Sequence, residues 1–122
     1  MGDYKQLTVW QKASALTTGI YAVTARFPRS ELFGLVSQMR RAASSVDSNI
    51  AEGCGRKGDG DLRRSLQIAR GSIAELENQL ITCRNVGYLD PAEWATWNAK
   101  AQEINRMLNR MLDSLRSKHH RR

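Results

Sequence analysis

The chain has 122 residues, 41% hydrophobic and 25% charged, with nineteen Lys and Arg against twelve Asp and Glu, a net charge of +7. That is one domain, long enough to bury a core without disulfides or a structural metal. Cys54 and Cys83 are too few for a disulfide framework and form no metal-ligand pair motif. They read as small buried residues in a reducing cytosol. The start of the chain is polar, without a signal-peptide core, and the longest uncharged run, Ala13 to Ala25, is too short to span a membrane. A cytoplasmic protein with no membrane contact is therefore expected. Arg116, Lys118, Arg121 and Arg122 lie beyond the last acid, Asp113, so the body is only mildly basic and net charge alone does not argue for nucleic acid.

Apolar residues then recur in steps of four and three through four stretches. The first, over about 9–27, has Val9, Ala13, Leu16, Ile20, Val23 and Phe27 on one face. Thr8 with Gln11 suggests a capping box at its start, and Phe27-Pro28 closes it. The second, about 31–53, has Leu32, Val36, Met39, Ala43, Val46 and Ile50, and ends in the glycine-rich break from Gly53 to Gly60. The third, about 60–85, has Leu62, Leu66, Ala69, Ile73, Leu76, Leu80 and Cys83, with Asp59 or Asp61 as cap and Gly87 suited to a left-handed end position. The fourth, about 91–116, opens on Asp90-Pro91-Ala92-Glu93, a cap, a first-turn proline and a reciprocal acid. Its seam is Trp94, Trp97, Ala101, Ile104, Leu108, Met111 and Leu115. Seams of this period and short connections predict an all-α, antiparallel, up-down-up-down four-helix bundle over 9–116. A short segment, 1–8, precedes it and a basic, disordered tail, 117–122, follows.

The faces opposite the seams are uneven. The fourth helix presents mixed charge: Lys100, Glu103, Arg106, Arg110. The first three present small, uncharged residues, among them Ser14, Thr18, Ser45, Asn49 and Gly71. A glycine inside a helix costs about 1 kcal/mol relative to alanine. Gly71 does not face the bundle's own core, so close approach by another backbone is the expected compensation. Ser14, Thr18, Ser45, Asn49, Glu52, Gly71 and Glu75 are the expected contacts of a homo-oligomer.

No motif carries catalysis. Gly53-Cys54-Gly55-Arg56-Lys57-Gly58 matches a dinucleotide-binding pattern literally, but a helix precedes it where that site needs a strand, and Asp59 and Asp61 would repel phosphate. The only histidines, His119 and His120, lie at the end of the chain, so the helices offer no metal set, no cofactor and no base beside a nucleophile. Glu52 and Glu75 read as ion-pair partners. The basic residues Arg40, Arg41, Arg56, Lys57, Arg63, Arg64 and Arg70 gather around the second and third helices. They read equally as phosphate contacts and as salt-bridge partners within or between subunits.

Leu7-Thr8-Val9-Trp10-Gln11-Lys12-Ala13 resembles the opening of the four-helix-bundle family encoded by intervening sequences in bacterial large-subunit ribosomal RNA genes. Gly34-Leu35-Val36-Ser37-Gln38-Met39-Arg40-Arg41-Ala42-Ala43 resembles its second helix. Ser48-Asn49-Ile50-Ala51-Glu52-Gly53 and Ala69 to Leu80 resemble its most recognisable stretches. Asp47 stands where that family usually has proline, which bears on a kink before Asn49. The resemblance implies a bundle that assembles into a ring, a pentamer by preference, with no enzymatic activity. It also implies kinship with accessory proteins of diversity-generating retroelements, which bind nucleic acid and a reverse transcriptase. The expected function is a non-enzymatic homo-oligomer that binds RNA or DNA. The alternative is a protein-interaction scaffold with no nucleic-acid role.

Overall fold

The structure, a computed structural model, describes residues 3–56 and 58–120. Four long helices carry the fold: α1 (Thr8–Thr24), α2 (Ser37–Gly55), α3 (Asp59–Asn85) and α4 (Pro91–His120). No strand occurs among the described residues. Neighbours pair in opposite order along the chain. Thr17 meets Asp47 and Thr24 meets Arg40 between α1 and α2, while Ser45 meets Ser72 and Met39 meets Cys83 between α2 and α3. Arg84 meets Trp94 and Arg70 meets Asn109 between α3 and α4, and Arg26 meets Glu93 and Lys12 meets Glu103 where α4 closes against α1. Each helix therefore runs antiparallel to both its neighbours.

The seams form the core. Every predicted member of the third is buried, as are Val9, Ala13, Leu16, Ile20 and Phe27 of the first, and Val36, Met39, Ala43, Val46 and Ile50 of the second. Val23, Trp94, Trp97, Met111 and Leu115 are half-buried at its margins, and Ala42, Leu89 and Leu112 join it unpredicted. Leu32 is the exception, 44% exposed. The chain from Arg29 to Val36 is a 3₁₀ turn followed by a π turn, broken at Gly34 (φ −116°, ψ −107°), so the regular helix expected from 31 starts only at Ser37. Without a Cβ, Gly34 tolerates a conformation that turns Leu32 off the seam and leaves Phe33 94% exposed.

Helix ends follow local chemistry, with four corrections. The Thr8–Gln11 capping box does not form. A 3₁₀ turn, Tyr4–Gln6, capped by Asp3, makes Thr8 the first residue of α1, and the Gln11 amide donates to the Lys5 carbonyl at 2.9 Å. Neither Asp59 nor Asp61 is the cap of α3. Gly58, at φ +97°, holds that place, and both acids sit in the first turn, where the helix dipole favours them. α1 ends at Thr24, whose hydroxyl bonds back to the Ile20 carbonyl at 2.6 Å, three residues before Phe27. The reciprocal cap of α4 forms as read: Glu93 N–H donates to Asp90 at 2.8 Å and Asp90 N–H to Glu93 at 3.1 Å. Gly87 has φ +86°, and the Tyr88 N–H closes the end of α3 on the Cys83 carbonyl at 2.9 Å. α2 runs unbroken past Asp47, which accepts from Thr17 at 3.4 Å. α4 continues to His120, past the expected end at 116, with Lys118 paired to Asp59 at 3.0 Å. Arg121 and Arg122 lie outside the described residues.

Two close approaches position the helices. A Cβ on Gly53 would come within 2.9 Å of the Ser65 Cβ, so the α2 backbone lies directly against the Ser65 side chain of α3 near their loop. A Cβ on Gly19 would fall 2.3 Å from the Trp97 ring, which lies against α1 there.

Candidate nucleic-acid and self-association faces

α3 is the shared wall of grooves on two sides, toward α2 and toward α4. On its α2 side, Asn49, Glu52, Arg56, Asp61, Arg64, Ser65 and Ile68 line a depression of about 310 Å³ near the α2–α3 loop. Further along, Gln38, Arg41, Glu75, Asn78 and Gln79 line another of about 480 Å³. Between the two, the Ser72 hydroxyl donates to the Ser45 hydroxyl at 2.8 Å, and Asn49 donates to the Ser45 carbonyl at 2.7 Å. Arg41, Arg56 and Arg64 stand here with Glu52, Asp61 and Glu75, so charge is balanced. Arg56 pairs with Glu52 at 2.8 Å, which raises the already basic guanidinium further. Gln79 is buried, and its side-chain oxygen has no hydrogen-bond partner among the described residues. A Cβ on Gly71 would meet nothing within 4 Å. The chain's own packing thus gives no reason for glycine at that position.

On the α4 side of α3, Arg63, Gln67, Arg70, Leu112, Asp113 and Arg116 line a groove of about 460 Å³. Arg63 and Arg70 follow one another two turns apart, and Arg116 faces them from α4. Arg70 donates to the Asn109 side chain at 3.1 Å, and Arg116 pairs loosely with Asp113 at 3.6 Å. Arg106 and Arg110 are exposed further out on α4. Glu77 continues the Arg63–Arg70 row, half-buried, and burial pushes its carboxyl above the usual range. This side carries a surplus of guanidinium groups.

The structure thus splits the expected basic cluster. Arg41, Arg56 and Arg64 share the α2 side with Ser45, Asn49, Glu52 and Glu75, four of the expected self-contacts, and Gly71 points outward from α3 into open space. Arg63 and Arg70 lie on the other side. Arg40 joins neither: it lies over the Tyr21 ring at 4.6 Å and donates to Thr24 and the Tyr21 carbonyl, tying α2 to α1. Ser14 and Thr18 are joined to each other on α1, away from α3, by a 3.1 Å hydrogen bond. Lys57 lies outside the described residues. Sequence reasoning missed Gln67, Asn109, Asp113 and Arg116. The heptad offsets Arg63–Arg70 and Asn109–Arg116 carried the signal, since residues seven apart share a helix face.

No group of His, Cys, Asp and Glu suited to a metal occurs among the described residues. No described helix is long and apolar enough to cross a membrane. Cys83 is enclosed in the core beside the Met39 sulfur at 3.5 Å, and burial pushes its thiol up to about 11. Burial also raises the half-exposed Cys54. Such thiols are poor nucleophiles. Burial raises Asp47, with the Thr17 hydroxyl opposing the shift.

Four helices packed around one apolar interior make this an all-α four-helix bundle. The match to the family described as 23S rRNA-intervening sequence protein spans residues 5–110, and the chain belongs to that family. No curated protein matches it. Among solved structures, a protein of unknown function from the S23 ribosomal protein family of Bacteroides thetaiotaomicron VPI-5482 has the same fold. It is 22% identical, with a TM-score of 0.78, over 86% of this chain and 98% of that one.

Proposed function

We propose that the protein is a non-enzymatic homo-oligomer that carries nucleic acid. Copies meet along the α2 side of α3, and the α4 side of α3 holds phosphates. The observation that carries the reading is the unequal charge of the two sides: Arg41, Arg56 and Arg64 are matched by three carboxylates, whereas Arg63, Arg70 and Arg116 face Asp113. Balanced charge around small residues suits a self-complementary contact, and an arginine surplus suits polyanions. Gln79, with its unsatisfied oxygen, supports contact with another copy on the first side, and Gly71, with open space beyond it on the outer face of α3, supports close approach beside it. A ring of five is the assembly we favour. A reverse transcriptase is a candidate protein partner, by kinship alone.

Native mass with and without a structured RNA tests both halves. The wild type is expected as an oligomer that gains mass with RNA. Gly71→Leu is expected to yield monomers with intact helices. Arg63→Glu with Arg70→Glu is expected to keep the oligomer and lose the RNA. A monomeric wild type overturns the assembly, and an oligomer that ignores RNA at about 50 mM salt, where phosphate contacts are strongest, overturns the nucleic-acid role.

A further inference from the structure

We infer that the α4 side of α3 recognises double-helical nucleic acid through its backbone, in preference to single strands. This deepens the nucleic-acid reading above and rests on it. The inference comes from what the face lacks as well as what it holds. α3, from Asp59 to Asn85, contains no Phe, Tyr or Trp, and neither does α4 beyond Trp97. Neither tryptophan of α4 lines the groove: Trp94 lies under the Arg84 guanidinium at 4.3 Å, near the far end of α3, and Trp97 lies against Gly19 of α1. The residues that line the groove therefore offer no Phe, Tyr or Trp ring to an unpaired base. Single-strand sites depend on such stacking platforms to hold a flexible chain whose charges are thinly spread.

What the face does offer is charge on a rigid frame. Arg63 and Arg70 are set about 10 Å apart by the seven-residue helical rise. Arg116 stands across the groove, and the Arg70–Asn109 hydrogen bond at 3.1 Å ties the two walls together. Exposed Gln67, between the two arginines, adds a neutral donor and acceptor able to contact sugar hydroxyls. A duplex presents about one negative charge per 1.7 Å of its axis and is itself stiff. A surface with guanidinium groups and no rings gains more from that dense, preformed row of phosphates than from a strand it would first have to order.

The test uses the full-length protein and fluorescence anisotropy. The probes are oligo(A) and oligo(U) RNA of about 20 nucleotides, the duplex they form, and the matching DNA duplex, each titrated between about 50 and 200 mM salt. The RNA duplex is expected to bind at least about tenfold tighter than either strand, with affinity falling steeply with salt. Arg63→Gln with Arg70→Gln, folded by circular dichroism, is expected to remove most of that advantage. Equal affinity for the two duplexes supports backbone charge alone as the signal, and preference for the RNA duplex adds contact to its hydroxyls. A smaller duplex advantage, or a preference for either strand, overturns the inference and leaves nucleic-acid binding standing. Binding to none of the four probes overturns both.

Discussion

Arginines line both sides of α3, yet the two sides differ in what stands opposite them. Toward α2 each guanidinium has a carboxylate within the same grooves, Arg56 pairing with Glu52 at 2.8 Å, and Ser45, Asn49 and Ser72 lie between the grooves. Toward α4 the arginines outnumber the acids, and Arg70 spends a hydrogen bond on a neutral amide. A count of basic residues therefore says little about a partner. The count of unmatched ones, side by side on a rigid wall, says more. Exposed ion pairs contribute at most about 1 kcal/mol each, so in the proposed function the α2 side acts through shape and the α4 side through field.

The comparison can be broken hardest at Gly53. Valine there drives a Cβ into Ser65 and is expected to destabilise the fold by about 1–3 kcal/mol, read from urea denaturation. Tolerance without loss would mean that α2 and α3 do not meet as closely as described. Next comes the salt response of nucleic-acid binding. Removing Arg63 and Arg70 together is expected to flatten the slope of log affinity against log salt by about two, since each lost phosphate contact takes away about one unit. Removing Arg56 and Arg64 is expected to leave that slope in place. Equal effects from the two pairs would erase the distinction between the sides.

Gly71→Ala gives a smaller and more pointed result. Within one chain the added methyl meets nothing, so alanine is expected to raise helix stability by about 1 kcal/mol. The same methyl is expected to weaken assembly, so stability at high dilution and native mass should move in opposite directions. Smallest is Glu77→Gln. Burial raises the Glu77 carboxyl in the folded state, so its ionised form opposes folding at neutral pH. That penalty fades as pH falls through the raised value and is gone below the unfolded one. Glutamine is therefore expected to stabilise the protein slightly at pH 7, with wild type and variant converging in acid. Paired thermal melts at neutral and acid pH check this.

The bundle was legible in the sequence because a helix buries one face and repeats it every three or four residues. The third seam needed no revision, residue for residue. Leu32 misled because periodicity does not reveal that Gly34 breaks the helix between it and Val36. Thr8 and Asp59 misled because a preceding turn, or a glycine at positive φ, can occupy the cap in place of a competent side chain. The candidate faces were only half legible. Arg63 and Arg70 were legible as members of the basic cluster, but their neighbours Asn109, Asp113 and Arg116 come from a helix distant in sequence, and periodicity within one helix does not say which neighbour lies beside it. Arg40 looked like part of the same cluster and proved to be a bracket between α1 and α2.

Gly19 and Trp97 belong to the first and last of the four helices, so their meeting seals a loop made of most of the molecule. Docking an indole onto bare main chain there should be among the slowest events of folding, since the long excursion between them must first be reeled in. With Trp10→Phe and Trp94→Phe leaving Trp97 as the single tryptophan, the emission of that indole would report closure separately from helix formation.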